Sequence, residues 1–172
     1  MLRGLSVWEP SATLLTLLHP GPNPDGVAEK PFETRGCWAA VIDLGELVIH
    51  AAGSRKDLHL VERTEHGRVL REHGMGMADL RFGYALALVD VVAVWRTSAG
   101  HMDRLRPDAA GGLPLPAGRA GALGNFNPGR ILLQLANVRR LAEPVRMPGR
   151  HRAFRLTPAE EAAVRAAAGE TQ

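Results

Sequence analysis

Runs of apolar residues and one alternating stretch predict six β-strands. The longest run, "GYALALVDVVAVWRT" at 83–97, predicts a long buried strand. The stretch "PFETR" at 31–35 alternates instead, so Glu33 and Arg35 are expected on one face of a strand. The other predicted strands are "GLSVWEP" (4–10), "ELVIHAA" (46–52), "RILLQLANVRRL" (130–141) and "RAFRLT" (152–157).

Three segments carry the end signals of helices. The segments "PSATLLTLL" (10–18) and "PAEEAAVRAAA" (158–168) both have proline in the first turn, where a missing N–H costs nothing. The segment "SRKDLHLVERTEHGRVLREHG" (54–74) has Ser54 as N-cap and Asp57 three residues later, in the capping-box position. These signals predict three helices.

The order of these elements indicates the fold class. The strands do not alternate regularly with helices, which favours an α+β fold, a small mixed β-barrel with flanking helices, over a doubly wound sheet. Two segments rich in glycine and proline, at 19–26 and at 98–129, predict an exposed loop and a long flexible loop. A length of 172 residues fits a single domain spanning 1–172.

Composition narrows the class of protein. The chain is 45% hydrophobic and 23% charged, as in ordinary globular proteins. It has no apolar run near the roughly 20 residues of a membrane span, and its first residues lack the apolar core of a signal peptide. We therefore expect a cytoplasmic protein that does not enter a membrane. The single cysteine, Cys37, excludes an internal disulfide and a cysteine-rich zinc site, and we expect no metal and no cofactor.

Charge is distributed unevenly. Residues 1–95 carry a net charge of −3, residues 96–155 carry +8, and residues 156–172 carry −2. A segment this basic suggests a polyanionic partner, nucleic acid first of all. The alternative is an arginine-rich composition whose charges are scattered over a solvated surface.

Four short motifs, in order along the chain, carry a resemblance to a known family. Lys30, Glu33 and Arg35 fit the last three fixed positions of G-x-K-x-x-E-x-R, with Ala28 in place of the glycine. The other motifs are "LSVWEPSATLL" (5–15), "ELVIHAA" (46–52) and "NFNPGRILLQLANVRRLAEPV" (125–145). In these respects the chain resembles the activating-signal-cointegrator homology (ASCH) domains of the PUA-like superfamily. Pro31 and the loops at 19–26 and 98–129 depart from the family pattern.

The resemblance implies a fold and a site. It implies a PUA-like β-barrel with flanking helices and a cleft where the lysine motif meets the late strand at 130–141. Related PUA-like modules bind RNA, and some bind modified bases in DNA. The resemblance thus implies nucleic acid as the partner, RNA favoured over DNA, with a modified nucleoside as a further possibility.

The residues of the lysine motif also suggest chemistry by themselves. Glu33 and Arg35 lie two residues apart on one face, about 6.6 Å along a strand. A carboxylate between two cations stays ionised and holds both in place. Lys30 or Arg35 could then grip a phosphate while Glu33 accepts from a base amino group. The alternative is a surface ion-pair network, worth about 0–1 kcal/mol per pair.

Five further residues are candidates for the site. Trp8 and Trp38 flank the N-terminal motifs and could stack on a base or pack in the core. His50 ends a buried strand, which favours a core role, whereas the resemblance implies a place at the border of the cleft. Asn125 offers an amide to a base edge or forms a turn, and Arg130 offers a phosphate contact.

Three histidines recur every seven residues, at His59, His66 and His73. Seven helical residues span about 10.5 Å, too far for two of them to share one metal ion. The pattern therefore predicts a solvated helix face.

Three classes of function remain open. The first is a nucleic-acid-binding module. The second is an enzyme on RNA or modified nucleosides, an amidohydrolase or ribonuclease, with Lys30 and Glu33 as the catalytic residues. Family members that deacylate a modified cytidine have threonine where this chain has Glu33, and the adjacent Thr34 is expected on the opposite face of the strand. The third is a protein-interaction or coactivator-like module that uses the loop at 98–129.

Overall fold

The structure is a computed structural model that describes residues 1–19, 27–55, 58–107 and 112–169. Of the loop predicted at 19–26, all but His19 lies outside these ranges, and so does Asp57, the predicted capping residue. The middle of the loop predicted at 98–129 also lies outside them.

Eight strands form one mixed sheet in the described residues. The main path runs in the order β2-β7-β4-β3-β1-β8, and β5 pairs with β4 and β6. β1 and β3 pair in parallel, and every other pair is antiparallel. The strands are β1 Arg3–Val7, β2 Phe32–Arg35, β3 Gly45–Ala51, β4 Tyr84–Thr97, β5 His101–Arg106, β6 Gly112–Pro114, β7 Ile131–Arg146 and β8 Ala153–Arg155. The six predicted strands and the α+β class are thereby confirmed.

Five helices and two 3-10 turns flank the sheet in the described residues. The two 3-10 turns are Cys37–Val41 and Met77–Asp79, and the helices are α1 Ser11–Leu14, α2 Leu58–Val61, α3 Glu65–Glu72, α4 Gly118–Ala122 and α5 Pro158–Ala167. The longest of these helices, α5, has ten residues, and none of the described helices has the length and apolar character needed to cross a membrane.

The helix predicted at 54–74 is instead two short helices. Thr64, between α2 and α3, is extended, and its hydroxyl donates to the Val61 carbonyl at 2.7 Å. Such a side-chain hydrogen bond competes with the helical pattern. Gly67 lets the second helix pack closely on the first, because a Cβ there would lie 2.5 Å from the Glu62 carbonyl oxygen. The single-helix prediction is therefore wrong.

The prediction of a long loop at 98–129 is also wrong in part. This segment contains β5, β6 and α4. Gly100, with φ of +81°, lets the chain reverse between β4 and β5, and Ser98 N donates to His101 O at 2.8 Å. Met102 then packs into an apolar cluster with Trp95 and Leu132. A short strand with a single buried residue has too weak an apolar pattern to be recognised among glycines and prolines.

The apolar core lies on both faces of the sheet. On β3, Leu47 and Ile49 face one cluster and Val48 faces the other, which explains the continuous apolar run in this strand. A third cluster joins three helices through Leu14, Leu70 and Leu123. These helices, α1, α3 and the end of α4, form the wall that covers one face of β2.

The sheet curves so that β2 approaches β1. The pairing of β4 with β7 shifts register at three places, and such irregularities increase twist. Arg35 on β2 spans the gap and donates from Nη2 to the Ser6 carbonyl of β1 at 2.8 Å. In the described residues no backbone ladder joins β2 to β1 or β8, so the ladders do not close into a ring.

Candidate functional site

A cleft of about 360 Å³ lies between β2 and the three-helix wall. Its floor is the face of β2 that carries Glu33 and Arg35, and Lys30 precedes this strand. The starts of α1 and α3 and the turn after α4 form its sides. The residues that line it are Val7, Trp8, Ser11, Lys30, Glu33, Thr34, Arg35, His66, Leu123, Gly124 and Asn125.

Backbone hydrogen bonds fix the entry to β2. Lys30 N donates to Leu14 O at 3.2 Å, which ties the lysine to α1. One residue later, Pro31 O accepts from Leu135 N of β7 at 2.9 Å. A residue before proline is restricted to extended conformations, so Lys30 enters the strand in a defined direction.

Lys30, Glu33 and Arg35 form one ion cluster. Lys30 Nζ pairs with Glu33 Oε2, and Arg35 Nε lies 2.8 Å from Glu33 Oε1. The second contact joins charges without hydrogen-bond alignment, because the Nε–H does not point at the oxygen. Two cations and one carboxylate leave a net charge of +1 at the floor of the cleft.

Burial distinguishes this cluster from a surface network. Lys30 is 3% exposed and Glu33 is 4% exposed, whereas the Arg35 side chain is 19% exposed. Removing one partner of a buried ion pair costs several kcal/mol, far more than the 0–1 kcal/mol typical of exposed pairs. The alternative of a surface ion-pair network is therefore wrong for Lys30 and Glu33, because both side chains are buried. The helices that cover β2 cause this burial.

Trp8 and Asn125 stand at the rim. Trp8 is 62% exposed, so its indole is a surface feature and not part of the core. Asn125 N donates to Thr34 Oγ1 at 3.3 Å, which fastens the turn after α4 to β2. Asn125 Oδ1 accepts from Asn127 N at 3.1 Å, as in an Asx turn, so this oxygen already has a partner.

His66 is a site residue that the sequence pattern did not reveal. It lines the cleft from the start of α3, whereas His59 is exposed on α2 and His73 Nε2 lies 2.7 Å from Glu29 Oε1. Burial lowers the pKa of His66, and the charge of Lys30 lowers it further. One ring nitrogen bonds the Leu123 backbone, so a neutral imidazole keeps its other nitrogen as an acceptor for the cleft. The prediction of a solvated histidine face fails because the helix breaks at Thr64.

A second ionic contact holds the wall of the cleft. Arg119 of α4 donates from Nη1 to both carboxylate oxygens of Glu29, at 2.9 and 3.0 Å, and from Nη2 to Glu72 at 2.7 Å. The Glu29 side chain is fully buried. Because Glu29 precedes Lys30 and α4 leads into Leu123–Asn125, this contact ties the wall to the floor.

Three sequence candidates do not line this cleft, namely Arg130, Trp38 and His50. Arg130 does approach the strand of the lysine motif, since its Nη2 donates to Thr34 O at 3.5 Å, but its side chain does not line the cleft. Trp38 lines a neighbouring cleft instead.

His50 is a buried core residue. It is fully buried, accepts from Ser6 Oγ at Nδ1 (3.1 Å) and donates from Nε2 to Met147 O (3.2 Å). The donor and acceptor roles follow from the carbonyl, which can only accept. Burial lowers the pKa of His50, so the ring is neutral. With both nitrogens bonded and no exposed surface, His50 cannot touch a ligand, and its assignment to the binding site is wrong.

The described residues contain no group of three histidine, cysteine, aspartate or glutamate side chains that could hold a metal ion.

The chain matches none of the known protein-family models with which it was compared. It also matches no curated protein.

Proposed function

We propose that the cleft binds nucleic acid, single-stranded RNA in preference to DNA, and that the chain is an ASCH-like domain of the PUA-like type. The observation that carries this proposal is the position of the Lys30–Glu33–Arg35 cluster beside the exposed Trp8 in one cleft. Nonspecific single-strand binding combines positive charge for the backbone with an aromatic face for a base.

The burial of the cluster divides the roles of its members. Lys30 and Glu33 are almost inaccessible, so they hold Arg35 and set the charge of the floor. Arg35 is the cation that reaches the ligand, and it takes a phosphate while Trp8 stacks on the base. The net charge of +1 favours an anion at this place.

The rim supplies groups that suit RNA. The neutral His66 has an acceptor nitrogen beyond its hydrogen bond to the Leu123 backbone, and Asn125 has an amino group beside its bonded oxygen. The ribose 2′-hydroxyl is both donor and acceptor, and it is the group by which proteins distinguish RNA from DNA. The basic segment 96–155 adds long-range attraction for the same partner.

The barrel is part of the same proposal. The curvature of the sheet and the hydrogen bond from Arg35 to Ser6 support a β-barrel whose gap between β2 and β1 is bridged by a side chain. A cytoplasmic location, where RNA is abundant, completes the proposal.

An enzyme acting on RNA or on a modified nucleoside is the second candidate. It is favoured by one observation, that Lys30 and the neutral His66 border the same cleft. Against it, the ammonium of Lys30 is held by Glu33, and Thr34 Oγ1 accepts from a backbone N–H on the rim. The test is whether the protein forms cytidine from N4-acetylcytidine or cleaves RNA. If it does, and a Lys30→Met variant does not, the function is catalysis and not binding.

The proposal is tested by the affinity for a fluorescein-labelled six-nucleotide RNA, measured by anisotropy over a range of salt concentrations. We expect affinity to fall with salt, with a slope of about 0.7 per phosphate contact, and the matching DNA to bind more weakly. Trp8→Ala should weaken binding about 5- to 150-fold, since stacking contributes about 1–3 kcal/mol per base.

Leu60→Ala is the matched control, because Leu60 is 59% exposed and lies on α2, outside the cleft. It should leave the affinity unchanged. Weak binding that does not depend on salt would favour the protein-interaction module, and equal affinity of wild type and Trp8→Ala would refute the proposed cleft.

A further inference from the structure

A second cleft adjoins the first and has its own chemistry. It has a volume of about 470 Å³ and shares Trp8 and Arg35 with the first cleft, so these two side chains form the ridge between them. Its other walls come from the end of β1, the turn after β3 and the segment before β8. Its lining also includes Ser6, Trp38, Arg150 and Arg152.

The second cleft is basic. Of the described residues that line it, none is a carboxylate, and three are arginines. Arg150 is neutralised from outside the cleft, because its Nη1 and Nη2 lie 3.0 and 2.8 Å from the two oxygens of Glu160. Arg152 has no carboxylate partner in the part of the chain that the structure describes. Arg152 and Arg35 therefore supply the charge that a ligand would meet.

Arg152 is held in an unusual backbone conformation. Its φ is +62°, in the left-handed region that disfavours side chains with a Cβ. Its carbonyl accepts from Ser6 N at 3.3 Å, which anchors the residue to β1. In this position its guanidinium lies 5.7 Å from the centre of the Trp38 ring. Backbone strain of this kind is often found at ligand sites, where it sets the direction of a side chain.

We propose that the second cleft is the subsite for the nucleotide next to the one in the first cleft, with Arg152 on its phosphate and Trp38 against its base. This inference rests on the proposed function, because the RNA strand bound in the first cleft would continue across the ridge into the second. Two recesses separated by an exposed indole require bases that are splayed apart, which single strands allow and duplexes do not. The ligand is therefore single-stranded RNA of at least two nucleotides.

The test compares two RNA probes on wild type and variants. The probes are uridine 5′-monophosphate and a fluorescein-labelled hexauridylate, whose binding is measured over a range of salt concentrations. Arg152→Ala should weaken hexauridylate binding about tenfold or more, because hydrogen bonds to charged groups are among the stronger ones. The slope of log affinity against log salt should fall by about 0.7, the value for one phosphate of a single strand. Binding of the monophosphate should fall less, because it can still occupy the first cleft.

Arg155→Ala is the matched control, an exposed arginine three residues further on that lines neither cleft. It should leave both affinity and slope unchanged. Arg152→Gly provides a second variant, because glycine tolerates the left-handed backbone and so keeps the fold while it removes the guanidinium. It should behave as Arg152→Ala does.

The outcomes separate the two proposals. Suppose that Trp8→Ala weakens hexauridylate binding but both Arg152 variants keep the wild-type affinity and salt slope. The proposal of a second subsite is then wrong, and the proposal for the first cleft is unaffected. If wild type binds neither RNA probe, the proposed function fails. If hexaglutamate competes for the site with the same dependence on Arg152 as hexauridylate, the second cleft is a general anion patch and the nucleotide subsite is wrong.

Discussion

Replacement of Lys30 by methionine tests the buried ion cluster most sharply. Methionine keeps a long, unbranched stem, so the change removes the charge with little loss of packing. Loss of one partner from a buried ion pair costs about 3–5 kcal/mol. Because Arg35 Nε remains 2.8 Å from Glu33 Oε1, the carboxylate keeps one cation, and we expect the low end, about 3 kcal/mol.

The assay is urea unfolding followed by tryptophan fluorescence, on Lys30→Met, Glu33→Gln and the double variant. If the two side chains act as a pair, the double variant should lose less free energy of unfolding than the sum of the single variants, by about 1–3 kcal/mol. Arg68→Met is the control, because Arg68 and Glu65 have the same spacing of three residues as Lys30 and Glu33 but lie on an exposed helix face. It should change stability little.

A free energy of unfolding for Lys30→Met within about 1 kcal/mol of the wild-type value would refute this reasoning. So would strict additivity in the double variant. Either result would mean that Lys30 and Glu33 contribute no more than an exposed surface pair, and the division of roles within the cluster would then be wrong.

Three further predictions follow from other buried polar groups. Burial raises the pKa of Glu9 from 4.5 to about 7, so the folded state binds this proton more tightly. The free energy of unfolding should therefore fall by about 3 kcal/mol between pH 4.5 and 7 relative to Glu9→Gln, measured by urea unfolding at each pH. Arg119→Leu should lower the free energy of unfolding by about 2 kcal/mol, because buried Glu29 loses a hydrogen bond from a charged group and keeps only His73 beside it. Hydrogen exchange should quicken at 118–125, because this contact holds α4. His50→Leu should lower the free energy of unfolding, measured with urea, by about 1–3 kcal/mol, because it leaves the Met147 carbonyl unpaired. The affinity for RNA, measured by anisotropy, should not change.

The sequence was sufficient to predict the parts of the fold with strong local signals. The apolar runs of β3, β4 and β7 are visible because these strands are covered on both faces, and α5 has proline in its first turn. The structure adds a capping box of Thr157 and Glu160 at the start of α5. Strands such as β5 and β6 depend on pairing with a neighbour, so their own residues carry little signal.

The candidate site was only half predictable. The alternation of β2 correctly places Glu33 and Arg35 on one face, and the spacing brings Lys30 to the same carboxylate. The burial of the cluster could not be predicted, since it depends on helices from three distant parts of the chain. The same packing of helices brings His66 to the cleft. In the sequence, the local feature that indicates close packing at this place is the neighbouring Gly67.

The measurement that tests the central claim most directly is an NMR titration of the ¹⁵N-labelled protein with hexauridylate, observed at the indole N–H signals of the three tryptophans. Trp95 is the internal control, because it is 5% exposed and its Nε1 donates to Gln134 Oε1 at 3.0 Å. If the cleft binds RNA, the Trp8 signal shifts progressively and the Trp95 signal does not move. If the Trp8 signal stays in place while RNA binds elsewhere on the protein, the account is contradicted.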